Sequence, residues 1–207
     1  MSARVSRPLL TMGLLSLLAA CSILPKSEPS NVYLLPAAPA TAAGSAAAVN
    51  WSLRIAKPQA TMALDSPRIA VVPEGSVISS YQGSRWSDNG PVLLRNRLIE
   101  GFQADGRIAE LSSDDAQLQA DLVLVSDLRA FQSEYHNGRV TVVVRLDAQL
   151  VNSASRKIVA ARRFDVQQPA SGDQVAEVVS AFGQASNTLS SQLVPWVLEQ
   201  GARNQRP

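Results

Sequence analysis

Residues 122–166 carry the pattern that most constrains the fold of this 207-residue chain. From Val140 to Leu150, apolar residues recur at every second position, which is the period of a strand with one buried face. Asn137-Gly138 comes just before this run, and Asn-Gly is the strongest short hairpin signal. Apolar runs at 122–131 and 157–166 flank it on either side. The sequence therefore predicts a three-stranded antiparallel meander with one solvated face.

Two amphipathic helices are predicted, one before the meander and one after it. The first follows Pro91, which suits a first helical turn, and ends at Gly106 as a left-handed cap. Its apolar stripe contains Leu94, Leu98, Ile99 and Phe102, and its polar side contains Arg95, Arg97, Glu100 and Gln103.

The second helix is predicted to begin near Ser171, which has capping-box spacing with Gln174. Pro195 should kink or stop it, because proline lacks an amide donor and crowds the preceding turn. The tail from Gly201 to Pro207 is expected to fray.

Shorter strands are expected before and between these elements. They are predicted at 51–56, 68–72, 76–81 and 107–111, with 112–119, including Asp114 and Asp115, as a solvated polar loop. A mixed, mostly antiparallel sheet with two helices packed on one face would bury every apolar stripe. The predicted fold class is therefore α+β.

The amino terminus has the marks of an exported protein. Arg4 and Arg7 precede a short apolar run that closes on Leu18-Ala19-Ala20-Cys21, the pattern of a signal peptide. The run is too short for a transmembrane helix, which needs about 20 apolar residues. The ending also resembles the lipobox of bacterial lipoproteins. That resemblance implies cleavage before Cys21, the only cysteine, and an N-acyl, S-diacylglyceryl modification of it; a plain signal peptide beside a free cysteine is the alternative.

The domain boundaries follow from these patterns. We expect a signal peptide at 1–20, a lipidated terminus and flexible linker at 21–49, a folded domain at 50–200 and a frayed tail at 201–207. Within the linker, Val32-Tyr33-Leu34-Leu35-Pro36 is interpreted as a clip that docks on the domain, with a partner-binding peptide as the alternative. Ser22 after the cysteine implies, by the usual sorting rule, the periplasmic face of the outer membrane.

Composition and motifs exclude several function classes. Without Arg4 and Arg7 the chain has 17 basic and 17 acidic residues, so no nucleic-acid-binding patch is implied. The chain lacks a phosphate-binding Gly-Lys-Ser/Thr loop and a Gly-x-Ser-x-Gly elbow. The one histidine, His136, lies in a predicted turn and cannot form a usual zinc site with one lipidated cysteine. We therefore expect no enzyme, no metal and no cofactor beyond the lipid on Cys21.

One stretch resembles a known family. Tyr81, Arg85 and Trp86, followed by Pro91 and the leucines of the first helix, are similar to the hallmark of ABC-type transport auxiliary lipoproteins, the PqiC-like family. The resemblance implies a fold like the amino-terminal domain of TolB. It also implies a non-catalytic role in lipid transport across the envelope, with an MCE-domain protein as partner. The implied anchor is a set of acyl chains, palmitate among them, in the outer membrane.

The candidate partner-binding residues are Tyr81, Arg85 and Trp86, because aromatic residues and arginine dominate interface hot spots. The alternative is that Trp86 lies in the core and Arg85 only braces the loop. Two other functions stay open: a lipid carrier with its own apolar cavity, and a lipopolysaccharide-assembly or structural envelope lipoprotein. Self-association also stays open, although no heptad pattern demands it.

Overall fold

The computed structural model describes residues 30–37 and 47–204. Cys21 and the predicted signal peptide lie outside the described residues. The elements are β1 (Asn31–Tyr33), β2 (Leu53–Ile55), β3 (Gln59–Ala60), β4 (Arg68–Glu74), β5 (Val77–Trp86), α1 (Gly90–Asp105), β6 (Leu111–Ser113), β7 (Leu122–His136), β8 (Arg139–Asn152), β9 (Ile158–Pro169) and α2 (Val175–Asn204).

Strand β7 organises the sheet. Along one edge it pairs antiparallel with β8, which pairs antiparallel with β9. Along the other edge it pairs, in parallel, with β2, β3 and β4 in turn. The sheet then continues from β2 to β6, and from β4 through β5 to β1. The α+β fold class with a mixed sheet is confirmed, and the long meander supplies the longest antiparallel pairings.

The meander forms where the sequence predicted it. His136 pairs with Arg139 across the turn, and Asn137 and Gly138 have φ of 51° and 73°. Both turn residues are left-handed, as a two-residue hairpin with native twist requires. The alternate apolar residues of β8 are buried. The pattern predicted this element well because it is local and repeats over many residues.

Helix α1 ends as expected, but two of its arginines are buried. The Gly106 amide donates to the Phe102 carbonyl at 3.0 Å, with Gly106 at φ 76°. Arg95 and Arg97 lie outside the apolar stripe, as the sequence indicates, and yet are only 5% and 7% exposed. Buried guanidinium groups need partners, and both arginines have them.

Arg95 binds the two aspartates of the segment that follows α1. Its Nη1 lies 2.8 Å from Asp114 Oδ1 and 2.7 Å from Asp115 Oδ2. The expectation of a solvated polar loop therefore holds only in part, because Asp115 is exposed but Asp114 is partly buried, and both carboxylates bind Arg95. A short 3₁₀ turn at Asp114–Ala116 brings both to one cation. The strand expected at 107–111 begins only at Leu111 and runs to Ser113.

Helix α2 is longer than predicted at its carboxyl end. Its start lies at Val175, and the Gln174 backbone N–H donates to Glu177 Oε2 at 3.1 Å, so the capping pair is Gln174 and Glu177 rather than Ser171 and Gln174. Pro195 is inside the helix and does not stop it. Trp196 packs edge-on against Phe164, with ring centroids 5.6 Å apart. Burial of the residues around Pro195 offsets the missing hydrogen bond.

The expected fraying at Gly201 is also wrong, at least as far as Asn204. Gly201 is buried against the Trp51 indole, and a Cβ there would lie 2.4 Å from the ring. Helix α2 therefore continues because its last turn packs on Trp51, just before β2. Residues 205–207 lie outside the described part of the chain.

One core cluster joins the sheet and both helices. It contains residues of β2, β7, β8 and β9 together with Leu94, Leu98 and Phe102 of α1 and the buried stripe of α2. Within residues 30–37 and 47–204, no helix is long and apolar enough to cross a membrane.

Candidate functional site

The segment around Tyr33 is docked on the domain. β1 pairs in parallel with β5, with Val32 opposite Arg85 and Tyr33 opposite Trp86. The Ser87 amide donates to the Tyr33 carbonyl at 2.8 Å. The interpretation of this segment as a docking clip is confirmed, and we call residues 31–36 the strap.

The strap continues over both helices. Arg97 Nη2 donates to the carbonyls of Leu35 at 2.9 Å and Pro36 at 2.7 Å, while its Nη1 lies 3.0 Å from Glu100 Oε2. Pro36 then lies so close to α2 that a Cβ on Gly183 would approach Pro36 Cβ and O to 2.9 Å. A buried charge that donates to two backbone carbonyls fixes the path of the strap.

The residues that carry the family resemblance form a bulged strand. Ser80 pairs with Ala70 and Arg85 pairs with Arg68, so Tyr81–Ser84 lies opposite the single residue Ile69. Gly83 supplies a left-handed conformation at φ 63° within this bulge. The sequence predicted a strand ending at Tyr81, because the bulge interrupts the period-two pattern, whereas β5 continues to Trp86.

Trp86 is a core residue. It is fully buried at 0% exposure and packs on Phe131 and Phe182, with centroid distances of 6.0 and 5.2 Å. Its indole nitrogen meets no acceptor among the described residues. Trp86 therefore offers no surface to a partner, which corrects its assignment as a contact residue and fits the core alternative.

Tyr81 is half-buried and points inward. Its hydroxyl lies 3.0 Å from the hydroxyl of Ser133, which is fully buried. Burial raises the pKa of the Tyr81 phenol above its usual value, and hydrogen bonding to Ser133 partly opposes the shift. The phenol is therefore neutral at physiological pH and joins β5 to β7 rather than presenting a charge.

Arg85 is exposed and has an unexpected neighbour. It lies directly opposite Arg68 on β4 and beside Val32 on β1, and all three side chains are exposed. We call Val32, Arg85 and Arg68 the arginine row. Arg85 Nη1 makes only a 3.4 Å contact with the Trp86 carbonyl. Sequence reasoning missed Arg68, because the pairing of β4 with β5 across a bulge has no local signal.

A second surface lies at the far end of the same strands. The tips of the β4–β5 and β7–β8 hairpins line an open groove of about 510 Å³. We call it the hairpin groove; among its lining residues are Val72, Glu74, Ile78, Glu134, Tyr135 and His136. Val77 and Ile78 at its rim are 62% and 43% exposed. From the sequence, the rim residues Val77 and Ile78 were predicted only as part of a short strand at 76–81.

Two titratable groups of the groove, His136 and Glu134, pair with each other. His136 Nε2 lies 3.1 Å from Glu134 Oε2, and Gln132 donates to the other Glu134 oxygen at 3.0 Å. Over the described ranges, no group of three or more histidine, cysteine, aspartate or glutamate side chains could hold a metal. The groove thus combines exposed aliphatic side chains with a carboxylate whose oxygens are already hydrogen-bonded.

Known structures match this fold along most of its length. The crystal structure of a Xanthomonas campestris protein of family DUF330 superposes with a TM-score of 0.79 at 29% identity, covering 86% of this chain and all of that one. The structure of an uncharacterized protein, at 16% identity and TM-score 0.64, covers 82% of this chain and 99% of that one and shows the fold alone.

A curated relative is similar over the domain. An uncharacterized protein of Bradyrhizobium diazoefficiens is 29% identical over 155 residues, which are 74% of this chain and 41% of that protein. This chain therefore spans about two fifths of the length of its relative.

The motif in β5 lies within a region that matches a known protein family. Residues 33–194 match the family described as the ABC-type transport auxiliary lipoprotein component. The match begins in the strap, includes the bulge and Trp86, and ends in α2 beside Pro195. A lipoprotein component of a transport system has its place at the cell envelope. The chain belongs to the family of ABC-type transport auxiliary lipoprotein components.

Proposed function

We propose that this protein is a non-catalytic accessory subunit of an ABC/MCE-type lipid transport system, anchored in the outer membrane through acyl chains on Cys21. The domain faces the periplasm and docks to the MCE-domain protein. The family supports the transport role. The exposed aliphatic rim of the hairpin groove carries the docking proposal.

The anchor rests on the residues around Cys21. Small residues precede the cysteine, and no second thiol competes for the lipid. Stable anchoring needs more than one acyl chain, as an N-acyl and S-diacylglyceryl cysteine provides. Radiolabelled palmitate should enter the wild-type protein and not the Cys21→Ala variant. Equal labelling of the two proteins, or none, would refute the anchor.

The hairpin groove fits a protein partner better than Tyr81, Arg85 and Trp86 taken together. Trp86 is buried, and the Tyr81 hydroxyl is bonded to Ser133. Val77 and Ile78, in contrast, expose aliphatic surface beside a concavity that contains Tyr135. A concave site with an aromatic residue and an aliphatic rim can receive an anchor side chain of a partner.

Photocross-linking in cells tests the docking surface. A benzophenone amino acid replaces Ile78 in the full lipoprotein, and a matched variant carries it at Ile158, which is 58% exposed on the distant β8–β9 turn. We expect an MCE-domain protein among the Ile78 adducts and not among the Ile158 adducts. The same adducts from both positions, or none containing an MCE domain, would reject the hairpin groove as the docking surface.

The proposed absence of chemistry follows from the docking role. Three polar side chains of the groove, Gln132, Glu134 and His136, are hydrogen-bonded to one another rather than arranged around a substrate space. The purified lipoprotein should therefore promote transport only together with its transporter, and turnover of a lipid by the purified protein alone would contradict the proposal.

A further inference from the structure

We propose that the arginine row is a membrane-contact surface that binds the anionic headgroups of phospholipids in the bilayer holding the anchor. The proposal rests on the proposed lipid anchor and adds an orientation: the β1 edge of the sheet lies on the membrane.

The first observation is an uncompensated pair of like charges. Arg68 and Arg85 are directly opposite on neighbouring antiparallel strands, and like charges in that position repel. Among the described residues, no carboxylate lies within 4.0 Å of either guanidinium, since every ion pair found there involves other residues. An anionic ligand would remove this repulsion.

The outer face of the meander provides the contrast. There Arg129 and Arg163 both bind Asp147, at 3.0 Å and by a bidentate pair, and Arg145 binds Asp165 at 2.6 Å. These three arginines of the meander are thus paired with carboxylates across the sheet, whereas the two arginines of the row are left with each other.

The second observation is exposed aliphatic surface at the same edge. Val32, beside Arg85, is 52% exposed, and Leu34 in the strap is 74% exposed. Guanidinium groups next to aliphatic side chains suit the interface of a bilayer, where the charges meet phosphates and the aliphatic groups enter the headgroup boundary.

The third observation is the position of the row on the chain. Neighbouring strands are about 4.8 Å apart, so the backbone of Arg68 lies about 10 Å from β1. Asn31 is ten residues after Cys21, which limits its distance from the anchor to about 35 Å. A free linker ending near Trp51 would allow about 100 Å. The strap therefore keeps the row close to the lipid, which favours a headgroup over a segment of a protein partner.

The experiment uses the full lipidated protein in vesicles. After lipidation of Cys21, a Leu34→Cys variant has one free thiol, which takes an environment-sensitive nitrobenzoxadiazole probe. Flotation with the vesicles at high salt is measured first and reports the anchor alone. Quenching of the probe by a spin label at headgroup depth then reports the orientation, in phosphatidylethanolamine vesicles with and without phosphatidylglycerol.

We expect stronger quenching when phosphatidylglycerol is present, and loss of that increase in the Arg68→Glu/Arg85→Glu variant. Each arginine near an anionic surface should change the population in contact about fivefold. The matched control, Arg139→Glu/Arg156→Glu, changes the net charge equally at two exposed positions in other turns and should behave as wild type.

Two outcomes would overturn the proposal. In the first, the protein floats but its quenching does not increase with phosphatidylglycerol, which refutes the membrane contact and leaves the anchor intact; failure to float refutes the anchor itself. In the second, the quenching again does not increase and the Arg68→Glu/Arg85→Glu variant also loses the Ile78 cross-link, which would show that the row binds a protein instead.

Discussion

At the scale of single residues, burial divides the motif in β5 into different tasks. Trp86 fills the core between Phe131 and Phe182, Tyr81 ties β5 to β7 through Ser133, and Arg85 remains on the surface. The sequence led to all three being named as candidate partner-binding residues, because spacing alone does not distinguish a buried tryptophan from an exposed one. The bulge that separates their directions depends on the pairing with β4, which has no local signal.

Trp86 gives the first prediction at this scale. Trp86→Ala should lower the free energy of unfolding by about 4 kcal/mol, since a large buried ring is lost. Trp86→Phe should cost clearly less, because it keeps most ring contacts and removes an indole N–H that has no acceptor in the described structure. Urea denaturation of the full chain measures both. A stable Trp86→Ala protein would contradict the core assignment.

Asp147 gives a pH-dependent prediction. Arg163, and then Arg129, hold the pKa of Asp147 at about 2, below its usual 3.8. The unfolded chain therefore binds the proton more readily, so the stabilisation is present above about pH 4 and is lost as the pH falls toward 2. Because the site is partly exposed, Asp147→Asn should cost only about 1 kcal/mol at neutral pH.

The measurement for Asp147 is the difference in unfolding free energy between wild type and variant across this pH range. Glu110→Gln, at an exposed residue outside the ion pairs of the described segments, should show no such pH-dependent difference. A constant difference for Asp147→Asn down to pH 2 would contradict the assigned cause.

At the scale of elements, what could be predicted depended on how local the determining contacts are. The meander and the Gly106 cap follow from short-range pattern and were predicted correctly. Pro195 was predicted to kink or stop helix α2, but the helix continues past it, because Trp196, Val197 and Leu198 are buried and their packing outweighs the local signal. The strap was predicted as a clip, but the sequence placed Arg97, which holds it, only on the polar side of α1 and gave no sign of its burial.

Gly183 tests the strap as an element. An alanine there would raise the helix propensity of α2 by about 1 kcal/mol, yet its Cβ would press on Pro36. We therefore expect faster hydrogen exchange at residues 31–36 and at the Ser87 amide, with no loss of stability in the rest of the domain. Exchange followed by mass spectrometry measures both. Unchanged protection of the strap would show that Pro36 can shift without release.

At the scale of the whole molecule, two surfaces lie at different places on the same strands. The arginine row is at the β1 edge, and the hairpin groove is at the tips of the β4–β5 and β7–β8 hairpins. With the proposed anchor and the arginine row on lipid, the hairpin groove would remain free to bind the proposed MCE-domain partner. Neither surface could be located from the sequence, because each is assembled from strands that are distant in the chain.

If Cys21 carries the proposed lipid, the strap also sets how far the domain can move from the membrane, which allows a prediction for the intact molecule. A 20-residue Gly/Ser insertion between Cys21 and Asn31 lengthens this tether from 10 to 30 residues, so its r.m.s. span, and with it the mean height of the domain, should rise by about 13 Å. The same insertion within residues 38–46 should leave it unchanged, because the chain is held on the domain before that point by Arg97 and β5. Energy transfer from a dye at Leu118→Cys, which is 58% exposed in the wild type, to a lipid dye measures the height.

The measurement is made at about 0.5 M salt, where the screening length falls to about 4 Å and the arginine row no longer holds the domain on the lipid. Under these conditions only the first insertion should reduce energy transfer. If both insertions reduce it equally, the strap is released in the membrane-bound protein, and the anchor then acts through the whole chain up to Trp51. If neither does, the domain is held near the bilayer by contacts other than the tether and the arginine row.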